Sequence, residues 1–383
     1  MIVTADHFQS SLAAVRALRA AGYLPWVAVA SPGTYAERSR AAVGRTRAPD
    51  PESEPGAFVD ALAEMAERLD ALAVLPSSED ALVALAGRAG AFPESIRVGV
   101  PGRELVERAT DKALVQQIAS TVGLGTPESA VVTRADLDDD RLNLSFPAVV
   151  KPVRTHTPLD DGTLRYAAVR RVDSRAELRR AVDELPGARW IIEAYVSGPL
   201  LSVGGVAWNG ELVCAVHQLA ERVYPPEGGG CYVRTIAPDA ALENGVARLV
   251  GRLEWSGPFH AQLIGTDARA ALIDFNPRVY GSLALAVAAG HNIPAIWLAC
   301  LLGRVPVVQP YRPGVRYRAE ERDVRALWKA LRNGSPALAL KGALPRRSTT
   351  HAVFSLRDPA PTLTSAAKLS RRARMRLRLA GRA

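Results

Sequence analysis

The stretch from Leu272 to Arg278, LIDFNPR, alternates polar and apolar positions as a strand does. With a side-chain period of two, Asp274, Asn276 and Arg278 share one side with Leu272, and Ile273 and Phe275 take the other. Three polar groups on one face of so apolar a strand are costly unless something binds them. Short apolar runs and helical spacing also alternate through residues 1–108. MIVTAD reads as a strand, Ser10 to Ala21 as a helix stopped by Gly22, and LPWVAVA as a second strand. AFVDALAEMAERLD is helical, ALAVLPSSED is a strand feeding a loop and another helix, and IRVGVPG closes the unit. Alternation of this kind predicts a parallel sheet with helices on both faces. The loops around Asp6-His7 and Ser77-Ser78-Glu79-Asp80 would form its ligand-facing edge. No G-x-G-x-x-G follows the first strand, so a dinucleotide site is not supported.

The pattern changes over 109–200. A helix runs from ATDK, capped by Thr110 or Asp111 and ended by Gly123. The strands AVVT, FPAVVKPV, RYAAVRRV and RWIIEAYV follow, with a helix capped by Ser174 and Glu177 before the last. This reads as a small α+β lobe. In 201–310 the strands LLSVGGVAW and LVCAVHQLAERV flank Asn209-Gly210, a strong hairpin turn. A glycine-rich loop (YPPEGGGCY), a helix from Ala241 to Leu253 and the strands FHAQLIG and ALIDFNPRV come next, the last two joined by the turn 266–269. Residues 311–383 are polar, punctuated by proline, and end in a basic arm. No internal repeat is present.

Composition alters this picture at two points. The chain has 383 residues and a formal charge of +9, but Lys368 and the arginines at 371, 372, 374, 376, 378 and 382 contribute +7 of it, so the body is near neutral. The tail 368–383 reads as a disordered arm, or as a short amphipathic helix lying on anionic lipid with Leu369, Ala373 and Leu377 on one face. Nucleic acid is not expected, because no aromatic platform accompanies the charge. Residues 279–303 carry no Asp, Glu, Lys or Arg, but Gly290-His291-Asn292-Ile293-Pro294 interrupts them, which predicts two buried helices around a turn. The N-terminus has no basic leader, and Cys214, Cys231 and Cys300 have no metal or disulfide spacing, which fits a cytoplasmic protein. His7, His156, His217, His260, His291 and His351 show no ligand spacing and read as structural. His217 and His260 lie on strands near the proposed site.

An acid beside amide oxygens suits a hard cation such as Mg²⁺, and a neighbouring arginine suits phosphate or a developing anion. Four signals fall in order: Lys112 in TDK at a helix start, Lys151 ending FPAVVKP, Glu193 in WIIEAYVSG, and the Gln262 strand ahead of Asp274, Asn276 and Arg278. In this order they resemble the ATP-grasp superfamily, in its carbamoyl-phosphate-synthetase-like and biotin-carboxylase-like branch, over roughly residues 1–305. DFNPRVYGSLALAVAAGHNIP is the most specific segment. The resemblance implies an α/β and α+β architecture. An N-terminal Rossmann-like parallel-sheet domain (1–108) would precede a small lobe (109–200, lid about 127–195), a C-terminal antiparallel-sheet lobe (201–310) and an extension (311–383). It implies a ligase that activates a carboxylate as an acyl-phosphate and joins it to an amine, with ATP and Mg²⁺ or Mn²⁺ as cofactors. Lys112, Lys151, Glu193, Arg222 and the backbone of Ala194 and Val196 would bind ATP. Gln262, Asp274 and Asn276 would hold the metal. Arg278, Asn276 and Ser282 would face the reacting groups. A homodimer is a further expectation.

Three departures stand out. The loop after Lys151 has only Gly162 where the family carries several glycines. Leu200 and Leu201 follow Gly198-Pro199 where a ribose-binding acid is usual. Gln262 and Asp274 take the places of longer or more acidic ligands. Two other readings stay open on this basis: a nucleotide-binding regulatory or scaffold protein, and carboxyphosphate or carbamate chemistry. A biotin-dependent carboxylase is disfavoured, because the chain has no AMKM-type lysine motif. The EGGGCY loop, with Arg222 and Arg234 nearby, reads equally as a plain connection or an anion-binding loop.

Overall fold

A computed structural model describes residues 1–5, 9–138, 144–159, 161, 163–226, 228–266, 270–344, 346 and 348–367. Asp6-His7, Gly162, the turn residues 267–269 and the basic tail lie outside the described residues.

The first unit holds a five-stranded parallel sheet of order β3-β2-β1-β4-β5. Its strands are β1 (Ile2–Ala5), β2 (Trp26–Val29), β3 (Gly44–Arg47), β4 (Ala73–Leu75) and β5 (Arg97–Val98), interleaved with α1 (Gln9–Ala20), α2 (Tyr35–Arg38), α3 (Pro55–Arg68) and α4 (Glu79–Gly87). Alternation along the strands sends Val3, Val27 and Val29 to the α1 side and Ile2, Ala28 and Val74 to the α3–α4 side. The polar strand β3, GRTR, had no apolar signature; it pairs along β2 as an edge. Chain order reverses on either side of β1, which opens a crevice at the carboxyl ends of β1 and β4. Ser77 locks that edge, its Oγ donating to Thr4 O at 2.5 Å and its N–H to Thr4 Oγ1 at 2.9 Å.

Two helices, α5 (Arg103–Thr110) and α6 (Lys112–Thr121), lead to the small lobe. Asp111 is the cap of α6 and accepts from Leu114 N at 2.9 Å; Thr110, the other candidate, ends α5. The lobe is a four-stranded antiparallel sheet, β10-β7-β11-β6. It comprises β6 (Ser129–Val132), β7 (Ala148–Pro152), β10 (Arg170–Val172) and β11 (Trp190–Ala194), with α7 (Arg175–Glu184) packed on it. The segment after Lys151 forms a separate hairpin of β8 (His156–Pro158) and β9 (Leu164–Tyr166).

The last sheet has seven strands in the order β16-β15-β12-β13-β14-β17-β18. They are β12 (Leu200–Trp208), β13 (Glu211–Val223), β14 (Gly230–Thr235), β15 (Gly257–Ile264), β16 (Ala271–Asn276), β17 (Arg316–Arg318) and β18 (Thr349–His351). Asn209 and Gly210 both take positive φ, 50° and 78°, as a two-residue hairpin of this hand requires. Helix α8 (Ala240–Arg252) covers one face. On the other, α9 (Leu283–Ala289) and α10 (Ile293–Leu301) meet at 90° and pack with Leu12, Val15 and Leu18 of α1. The uncharged stretch is thus the joint between the first and last units, each fully buried aliphatic side chain there contributing about 1.5–3 kcal/mol. No single described helix is long and apolar enough to cross a membrane. The polar residues beyond 311 add β17 and β18 to the sheet and lay α11 (Glu320–Arg332) and α12 (Pro336–Ala343) against it.

Candidate active site at the junction of the lobes

Strands β15 and β16 pair with Gln262 opposite Asp274 and His260 opposite Asn276, and the register then slips so that Leu263 faces Leu272. Ile273 is the extra residue of a bulge, and a bulge shifts the alternation by one. Strict alternation put Leu272 on the polar side and Ile273 in the core. The structure reverses the two: Leu272 joins Phe275 in the core, and Ile273 lines the cleft. The bulge also frees the Ile273 carbonyl, which accepts from Lys151 Nζ at 2.6 Å.

Asn276 ties the polar group together. Its Nδ2 donates to Asp274 Oδ2 at 2.8 Å and to Gln262 Oε1 at 3.3 Å, and its Oδ1 accepts from Arg278 Nη2 at 3.0 Å. Lys112, at the start of α6, ion-pairs with Asp274. Lys151, at the end of β7, ion-pairs with Glu193 of β11, and Gln116 also bonds that carboxylate. Burial opposes ionisation of Asp274, but Lys112 and Lys151 outweigh it and hold its pKa down to about 2. Burial likewise opposes the charge of Lys112, yet Asp274 and Glu79 raise its pKa. For Lys151 burial wins, and its pKa falls. The Asp274 carboxylate and the Gln262 amide oxygen are hard donors that fit a magnesium-type cation, and rotation of the Asn276 amide, whose Nδ2 faces both, would add a third.

Two cavities meet at this group. The larger, about 260 Å³, lies between the small and last lobes. Val149, Leu200, Ile264 and Ile273 give it apolar walls, and Lys151, Glu193, Ala194, Val196, Gln262 and Asp274 line it too. The Ala194 N–H is committed to Glu128 O at 2.8 Å. The smaller cavity, about 130 Å³, is lined by Gln218, His260, Gln262, Asn276, Arg278, Tyr280, Ser282 and Arg322. Ser282 Oγ donates to Gln218 Oε1 at 2.7 Å. His260 stacks on Tyr280 at 4.5 Å; burial, aided by Arg278, lowers its pKa to about 3, so it is neutral.

Arg222 is not part of this group. Its Nε donates to Asp323 at 2.7 Å and its guanidinium lies 4.4 Å from the Tyr232 ring centre, because the buried carboxylate of α11 attracts it away from the cleft. His217 pairs with Glu243 at 3.0 Å and faces α8. Burial pushes the Cys231 thiol up to about 11, which disfavours the thiolate. Gly228 and Gly229 of the glycine-rich loop border the cleft, and Gly229 and Gly230 border the smaller cavity.

Sequence reasoning missed Arg322, which α11 delivers from a segment read only as an extension. Glu79 lay in the loop expected at the ligand-facing edge, without an assigned role; it lies 3.7 Å from Arg278 Nε and 3.5 Å from His156 Nδ1. No spacing in the sequence signals Arg322, whereas SSED at a strand end pointed to Glu79.

A family profile described as ATP-grasp in the biosynthetic pathway with Ter operon matches residues 187–323. No curated protein sequence matches the chain. Among solved structures, an L-amino acid ligase from Bacillus licheniformis is similar with a TM-score of 0.60 at 20% identity, over 82% of this chain and 78% of that one. N5-carboxyaminoimidazole ribonucleotide synthetase from Thermus thermophilus has a TM-score of 0.61 at 19% identity, over 82% and 81%. Biotin carboxylase from Campylobacter jejuni, solved as a β-γ-ATP complex, has 0.59 at 13%, over 82% and 74%. With its sheet order and its paired cavities, the chain has the fold of these ATP-grasp ligases, and residues 187–323 match an ATP-grasp family profile.

Proposed function

We propose that the chain is an ATP-dependent ligase that converts a substrate carboxylate to its acyl-phosphate and joins it to an amine, releasing ADP and phosphate. The observation that carries this reading is the meeting of two cavities at one set of side chains. Gln262 lines both, Asp274 faces the larger, Arg278 the smaller, and Asn276 bonds to all three. Phosphoryl transfer needs in-line positioning and cations rather than covalent help.

A purine fits between the apolar walls of the larger cavity beside Glu193 and the hinge backbone. Its phosphates would run toward Lys151 and Lys112. Gln262, Asp274 and Asn276 would hold Mg²⁺ or Mn²⁺, which when bound neutralises phosphate charge. A carboxylate oxygen from the smaller cavity attacks the γ-phosphorus, and the bond from that phosphorus to the ADP oxygen breaks. The amine then attacks the acyl carbon and loses a proton as phosphate leaves. Arg278 stabilises the transferring charge, and Ser282 positions the acid from the cavity wall.

One observation favours a second reading, nucleotide binding without turnover: Lys112 occupies Asp274, and a hairpin replaces the glycine-rich loop. Purified protein with Mg²⁺-ATP and pools of acids and amines separates the two. ADP release that needs both an acid and an amine, and that Asp274→Ala abolishes, supports the ligase. Nucleotide binding with no ADP release from any pool supports the second reading. ADP release driven by bicarbonate alone points to carboxyphosphate chemistry instead.

A further inference from the structure

The smaller cavity carries an imbalance that bears on its substrate. Two guanidinium groups, Arg278 and Arg322, line it, and no aspartate or glutamate does so among the described residues. Glu79 stands behind Arg278 at 3.7 Å, outside the lining. Asp274 and Glu193 line the neighbouring cleft, each held by a lysine. Among the described residues Arg322 makes no ion pair. Its Nη2 donates to Gly230 O at 3.4 Å, and its nitrogens lie 3.5 and 3.7 Å from where side chains on Gly229 and Gly281 would begin. Two further buried groups there, the Nε2 of Gln218 and the hydroxyl of Tyr280, 1% exposed, lie near each other without a well-formed hydrogen bond. Buried polar groups with incomplete hydrogen bonding are costly unless a ligand completes it.

Taking the ligase reading as given, we infer that this cavity holds a small carboxylic acid without an ammonium group: a three- or four-carbon hydroxy acid, oxo acid or dicarboxylate. The guanidinium groups supply the counter-charge for carboxylate oxygens. Gln218 Nε2 and the Tyr280 hydroxyl meet a hydroxyl, carbonyl or second carboxylate. A free α-amino acid would bring a desolvated ammonium beside two cations with no carboxylate among the described lining residues to receive it, a specificity set by repulsion. The cavity is the smaller of the two, about 130 Å³, which favours a short acid. This separates the chain from what an L-amino acid ligase, one of its structural neighbours, must bind.

The test compares isosteric pairs, malate with aspartate and lactate with alanine, binding to the full-length protein with Mg²⁺ and a non-hydrolysable ATP analogue by saturation-transfer NMR and calorimetry. The expected result is that the hydroxy acid of at least one pair binds at least about tenfold tighter than its amino partner. Arg322→Ala should weaken it about tenfold or more, and Arg322→Lys less, with nucleotide affinity and melting temperature retained. Equal or tighter binding of the amino acids, or no binding of either hydroxy acid, overturns the inference. ADP release is read in parallel. Binding of the hydroxy acid without ADP release from any acid–amine pair keeps the substrate class and sinks the ligase. ADP release driven by amino acids keeps the ligase and sinks the substrate class.

Discussion

Arg278 touches three things at once: the Asn276 amide, the carboxylate of Glu79 and the wall of the smaller cavity. On the ligase reading, a guanidinium so placed would act on charge that develops during transfer. Arg278→Ala should therefore lower kcat for ADP release by about 10²–10³-fold, as removal of one preorganised donor does elsewhere. Affinity for an ATP analogue should stay within about threefold. A large loss of nucleotide affinity instead would move Arg278 from the reacting charge to the nucleotide. Glu193 and Lys151 present a different case, with side chains 4% and 3% exposed. Glu193→Ala leaves a buried lysine with the Ile273 carbonyl as hydrogen-bond partner and Asp274 as the nearby charge, and breaking a buried pair from one side costs about 3–5 kcal/mol. A urea midpoint unchanged in that variant would contradict the pairing.

At the scale of elements, two irregularities shape the site. The bulge at Ile273 hands a carbonyl to Lys151, and Ile273 itself to the cleft. The β8–β9 hairpin reaches across to the first unit, where Leu164 N donates to Glu52 O at 2.7 Å and His156 Nε2 lies 3.1 Å from Glu52. Glu79 and Asp80 also face His156. Burial opposes its protonation, but these carboxylates outweigh burial and raise its pKa. The sign follows: the hairpin contact is full below the ordinary histidine value, about 6.5, and weakens as pH rises through the raised one. Protection of the Leu164 amide, corrected for intrinsic exchange, should fall across that window. His156→Ala should lower it throughout and remove the pH dependence; a parallel dependence in the variant would assign it to another group.

The whole molecule is closed by its C-terminal segment. Asp358 receives Ser39 Oγ at 2.6 Å, Arg16 Nε at 2.9 Å and Arg40 N at 3.0 Å, fastening the last residues onto the first unit. Burial raises its pKa, but these donors outweigh burial and depress it. Its contribution is therefore complete above about pH 4 and fades as pH falls through the depressed value. Asp358→Ala should cost about 1–3 kcal/mol in denaturant unfolding. That cost should shrink at acid pH, where the native protein has already lost the contact. A second fastening lies at Asp323, 1% exposed, where Arg222 and Arg318 converge with the Tyr232 ring beside them. That fastening holds α11 where Arg322 borders the smaller cavity.

The amino-acid sequence alone determined what depends on neighbours along the chain. Period and capping gave the helices and most strands, Asn209-Gly210 its hairpin, and the order of Lys112, Lys151, Glu193, Gln262, Asp274, Asn276 and Arg278 the likeness to ATP-grasp proteins. Only the tertiary structure decided what depends on residues far apart. One extra residue at Ile273 reversed which apolar side chain meets the cleft, because register is set by a partner strand. Arg222 left the site because the carboxylate that attracts it sits on a helix about a hundred residues later. Arg322 borders it because Gly229 in one loop and Gly281 just before α9 leave its guanidinium room. Strand β3 and the strands beyond 311 lacked an apolar pattern, since edge pairing needs backbone groups more than side chains.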